Sequence, residues 1–159
     1  MSDISGNDAV VLIQAVLGEA LEGPKQDWSY FTDSGSQSGL FGTLDELSAA
    51  DASRPTGGTS IVSHAHHASF ALDASAAWIS GDRSSRDWPQ SWSVSEVDEA
   101  AWRRLRDDLR GRYDTLRRAI DAKARGDAET FGAAVAAVAH AAYHLGAIRQ
   151  KVAWQRASS

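Results

Sequence analysis

Five histidines carry the clearest chemical signal in this chain, and all five fall in two short segments, Ser63-His64-Ala65-His66-His67 and Ala139-His140-Ala141-Ala142-Tyr143-His144. A helix turns about 100° per residue, so His140 and His144 share one face a single turn apart. At that spacing two imidazoles can bind one metal ion. Both lie roughly 80 to 120° from the middle of the local apolar stripe, beside Ala137 and Ala147, whose small side chains leave room for a cleft. In the other segment the same wheel puts His64 at the edge of the apolar face and His67 further round. His66 falls about 160° away, toward solvent. His64 is therefore the expected third ligand, His66 is expected to be dispensable, and the role of His67 stays open. Three neutral imidazoles leave positions for water or substrate, as catalytic sites do and closed structural sites do not. Zinc is the first candidate, and nickel or ferrous iron would also accept imidazoles. No catalytic side chain is assigned, since Tyr143 and Arg149 read as packing and surface residues.

Four long helices would have to position these groups. In the first, from Asn7 to Glu22, Val10, Ile13, Val16, Leu17 and Leu21 recur at helical spacing before a Gly23-Pro24 stop. Residues 24–42 lack a period, so Trp28, Tyr30, Phe31, Leu40 and Phe41 are expected in one ordered loop folded over the helices. Thr43-Leu-Asp-Glu46 matches a capping box and predicts a short accessory helix ending before Arg54-Pro55. Thr59 or Ser60 caps the second long helix, which carries Ile61, Ala65, Ala68, Leu72 and Ile79 along one side to about Gly81. A long connection through Trp88-Pro89-Gln90-Ser91-Trp92 follows, and it permits a crossover. Ser95-Glu-Val-Asp98 caps the third helix, whose stripe Trp102, Leu105, Leu109, Tyr113, Leu116, Ile120 runs until Gly126. Asp127 caps the fourth, with Phe131, Ala134, Val138, Ala141, Leu145, Ile148 and Val152 in the same pattern. No strand pattern competes, so the expected fold is all-α, a four-helix bundle in one domain.

Several function classes drop out. With 16 Lys+Arg against 21 Asp+Glu the net charge is -5, which gives no overall pull toward a phosphate backbone, and nucleic acid is not an expected partner. The basic run from Arg103 to Arg112 contains Asp107 and Asp108 and reads as a solvated face. Absence of cysteine excludes disulfides, thiolate metal sites and cysteine nucleophiles. Gly35-Ser-Gln-Ser-Gly39 has Gln where a nucleophile elbow needs Ser, and no Walker, dinucleotide or His-Glu-x-x-His motif is present. The acidic N-terminus does not look secretory. No window is expected to approach a membrane span, because Gln14 breaks the stretch from Val10 to Leu17. The expected location is the cytoplasm, with no membrane partner. Exposed aromatics in the 24–42 and 81–93 segments would suit a homodimer.

Ser60-Ile-Val-Ser-His64-Ala-His-His67 and His140-Ala-Ala-Tyr-His144-Leu-Gly146 resemble two signature segments of the DinB-like superfamily of metal-dependent four-helix proteins, which includes bacillithiol, mycothiol and glutathione S-transferases. The resemblance spans most of the chain. It implies an up-down-down-up bundle and a metal site formed by His64, His140 and His144. Family members often have Gln after the glycine, where this chain has Ala147. The implied function is a metal-dependent enzyme acting on a small molecule. Transfer of a low-molecular-weight thiol to an electrophile is the leading reaction, and hydrolysis by activated water is the alternative. A non-catalytic bundle that binds a small ligand or a partner is the competing class.

Overall fold

A computed structural model describes residues 5–25, 27–35, 37–124 and 127–158, and the described residues form helices with no strand. Six α-helices follow in chain order: α1 (Gly6–Glu22), α2 (Leu40–Asp45), α3 (Ala49–Ser53), α4 (Ile61–Ile79), α5 (Glu99–Lys123) and α6 (Ala128–Ala157). Four of them are long. A short 3-10 turn, Pro89–Trp92, interrupts the connection between α4 and α5.

The long helices begin where side chains can satisfy their free amides. Ser5 and Asp8 make a capping box at α1, the Ser60 hydroxyl accepts from the Ser63 N–H at 3.1 Å, and Asp98 accepts from the Ala101 N–H at 2.7 Å. Asp127 accepts from the Thr130 N–H at 2.8 Å. α5 ends at Lys123, and Gly126, the expected stop, lies outside the described residues.

The region between α1 and α4 departs from expectation. Two short helices replace the single accessory helix, and Leu40 and Phe41 belong to the first of them. Thr43 is not a cap but sits inside α2, where its hydroxyl donates to the Gly39 carbonyl at 2.9 Å. Ser48 caps α3, accepting from the Asp51 N–H at 3.1 Å. The apparent capping box misled because α2 starts from a glycine without a side-chain cap, fixed by the burial of Leu40 and Leu44.

Apolar stripes from α1, α4, α5 and α6 meet in one cluster that includes Leu17, Leu21, Ile61, Leu72, Trp102, Leu109, Leu116, Ile120 and Ile148. α4 lies against both α5 and α6, and α1 against α6. Trp102 is wholly buried, and its indole N–H donates to the Leu47 carbonyl at 2.9 Å, which ties α5 to the segment between α2 and α3.

α6 also corrects the expectation about membrane spans. From Phe131 to Ile148 it carries no charged side chain, and among the described helices it alone is long and apolar enough to cross a membrane by length and composition. Its most apolar 18-residue window, one third of it buried, belongs to a helix that packs on α1 and α4.

Candidate metal centre

Two helices and one turn build the histidine cluster. α4 contributes His64, His66 and His67 from its first two turns, α6 contributes His140 and His144, and the 3-10 turn closes over them. The start of α4 is anchored on both sides. Its cap, Ser60, donates to the Ser95 carbonyl at 2.6 Å, ahead of α5. From α6, Lys151 Nζ donates to the carbonyls of Thr56 and Thr59, and Gln155 Nε2 donates to the Thr56 hydroxyl at 3.0 Å. The turn so held contains Gly57 and Gly58, both at positive φ, a conformation that suits residues without a side chain.

His67, His140 and His144 each offer a ring nitrogen within 4.8 Å of the others. His67 and His144 are buried, and His140 is half-buried. The His67 and His140 rings are stacked with centroids 5.1 Å apart, and His140 and His144 stand 4.7 Å apart. The Nε2 atom of His140 is buried and has no hydrogen-bond partner among the described residues. A buried ring nitrogen without a partner is costly, and a bound ion or a water would satisfy it.

His64, the third ligand expected from sequence, comes to the edge of this group. Its Nδ1 lies 3.1 Å from Nδ1 of His144, so one of the two rings carries the proton between them. Its Nε2 lies 3.1 Å from the Thr59 hydroxyl. The structure thus brings His140 and His144 together as the helical spacing requires, and it places both His64 and His67 beside them. Both are equally buried, at 7% exposure, although the wheel had set His67 further from the apolar face. The 3-10 turn accounts for that, since it covers a flank of α4 that two packed helices alone would leave open. The same turn covers His66, which is half-buried rather than solvent-facing, with its Nδ1 2.7 Å from the Ser91 carbonyl.

His64, His67, His140 and His144 are all held toward the neutral form. Burial, reinforced by the neighbouring His140, His64 and His66, pushes His67 down to about 4. Burial together with His140, His67 and His64 pushes His144 down to about 3. His64 is lowered by burial and by the Lys151 ammonium, and His140 by burial. Neutral imidazole is the form that binds a metal ion.

The indole rings beside His67 are those of Trp88 and Trp92. Trp28 and Tyr30 instead line a separate cavity of about 280 Å³ with Gly18 of α1 and Tyr113 of α5. Sequence reasoning did not single out Thr59, Ser91 or Trp92 as site residues. The Trp-Pro-Gln-Ser-Trp string is the available signal, because a proline fixes the backbone of a turn and two indoles bring large apolar area to it.

Comparison with protein-family models, with curated proteins and with solved structures gives no match.

Proposed function

We propose that the protein is a divalent-metal-dependent enzyme whose ion is held by His67, His140 and His144. The unpartnered, buried Nε2 of His140 between two other neutral imidazoles is the observation that carries this reading. The donor set suits zinc, nickel or ferrous iron, and the absence of cysteine leaves imidazole nitrogen as the main donor. This set takes His67 where the family resemblance implies His64. His64 is assigned instead to contact with His144. The arrangement of α1, α4, α5 and α6 as an up-down-down-up bundle of the DinB-like kind belongs to the same proposal.

When bound, the ion would act as a Lewis acid that lowers the pKa of a thiol or of water. The chain supplies the rest. The depressed histidines keep their nitrogen lone pairs available at neutral pH. The indole rings of Trp88 and Trp92 shield His67 from water, which strengthens electrostatic interactions inside the site. Three imidazole donors would leave positions on such an ion for a thiol, and the sequence supplies no competing cysteine, so transfer of a low-molecular-weight thiol to an electrophile is the leading reaction. The test is to offer zinc-loaded protein a panel of bacterial thiols with an electrophile and to follow thiol loss beside His144→Ala. Loss that depends on metal and on His144 supports thiol transfer. Equal rates for the two proteins remove it, and the same pair is then assayed for ester and amide hydrolysis.

A further inference from the structure

Ser91 is the third residue of the 3-10 turn and is fully buried, with no exposed surface. Its hydroxyl lies 2.6 Å from the Trp88 carbonyl and 2.6 Å from Nδ1 of His67. A serine hydroxyl has one hydrogen to give, and a carbonyl oxygen can only accept. The hydrogen therefore goes to Trp88, and the hydroxyl must accept from His67. His67, neutral in its buried setting, carries its proton on Nδ1 and leaves Nε2 as a bare lone pair. The turn that presents Ser91 is held from α4 as well, since its carbonyl accepts from Nδ1 of His66 at 2.7 Å.

We infer that Ser91 is a positioning residue, fixing the tautomer and orientation of His67 so that Nε2 is the atom offered to a divalent cation. The inference rests on the metal reading above. Ligating histidines commonly donate their other N–H to an outer partner that sets tautomer and ring direction, and loss of that partner typically weakens metal binding by about 10- to 100-fold. Here the outer partner is a hydroxyl whose only hydrogen is already used, so it cannot itself donate to the ring. His66, half-buried beside His67, holds the same turn through the Ser91 carbonyl.

Two measurements test this. Long-range proton–nitrogen NMR of histidine-labelled, metal-free wild-type protein reads the His67 tautomer directly, with no variant needed. The expected form is protonated at Nδ1. Zinc affinity by competition with a chelating dye is then compared for wild type, Ser91→Ala and Ser91→Thr. Ser91→Ala should bind zinc about 10- to 100-fold more weakly and lose the single tautomer, while Ser91→Thr, which keeps the hydroxyl, should stay within about threefold. A wild-type His67 protonated at Nε2 overturns the inference, as does Ser91→Ala with wild-type affinity. If wild-type protein binds no zinc, the metal reading falls and the ligand role of His67 goes with it, whereas the tautomer spectrum still reads the Ser91 hydrogen bond on its own.

Discussion

The imidazole of His67 lies nearly flat on the indole of Trp92, with centroids 4.2 Å apart and planes 21° from parallel. Trp92 also meets His64 edge-on at 5.3 Å, so one indole braces both α4 histidines of the cluster. Trp92→Ala should therefore lower zinc affinity by about tenfold through loss of ring orientation, and Trp92→Phe should retain most of it. Dye competition measures the affinity, and far-UV circular dichroism checks that the helices persist.

Acid should destabilise the metal-free protein well above the range of carboxylates. His67 and His144 resist protonation when folded, while the unfolded chain takes up those protons near pH 6.5. The unfolded state therefore binds more protons as pH falls below that value, and stability drops with it. Each of the two should cost about 1.4 kcal/mol between pH 7.5 and 5.5, read by urea denaturation at both pH values. In His144→Gln the slope should shrink by about one histidine's share.

Glu19 organises the aromatic segment after α1. Its buried carboxylate accepts from the backbone N–H groups of Tyr30 at 2.7 Å, Phe31 at 2.8 Å and Thr32 at 2.9 Å. Burial alone would raise its pKa, but these hydrogen bonds and that of the Thr32 hydroxyl outweigh it and lower it. The stability so contributed is present above the unfolded carboxyl value and is lost as pH falls through the lower folded one. Glu19→Gln should cost about 2 kcal/mol, because its amide places donors against donors. Limited proteolysis should then cut near residues 28–32 first.

The long helices and the histidine pair on α6 were legible because periodicity and caps are local. Ser60, Asp98 and Asp127 each cap the helix they precede, and His140 and His144 meet because four residues make about one turn. What a helical wheel does not contain is the chain that packs on the helix from elsewhere. His67 and His66 are covered by the Pro89–Trp92 turn, a contact more than 20 positions away in sequence, so the wheel sets His67 further from the apolar face than its burial warrants and His66 toward solvent. The start of α2 is not legible, and the helix expected from Thr43 begins at Leu40, because Gly39 gives no capping signal while the close approach that selects glycine there is tertiary.

That approach gives a further test. A Cβ on Gly39 would stand 2.3 Å from the Gly23 backbone nitrogen and 2.8 Å from the Leu21 carbonyl oxygen, with only backbone to yield. Gly39→Ala should destabilise the protein by about 3 kcal/mol through displacement of α2 from the end of α1. Gly35, whose added Cβ would meet nothing within 4 Å, should accept alanine with little change. Thermal denaturation of the two variants compares them.

On this reading His67, His140 and His144 hold one divalent ion. A crystal structure of the zinc-loaded protein, with anomalous scattering measured at the zinc edge, tests it most directly. One ion per chain should appear with a nitrogen of each of these three histidines at about 2.0 to 2.1 Å, and His64 should remain in contact with His144. No anomalous peak among the three rings, or an ion bound through His64 with His67 left on Ser91 alone, would contradict it.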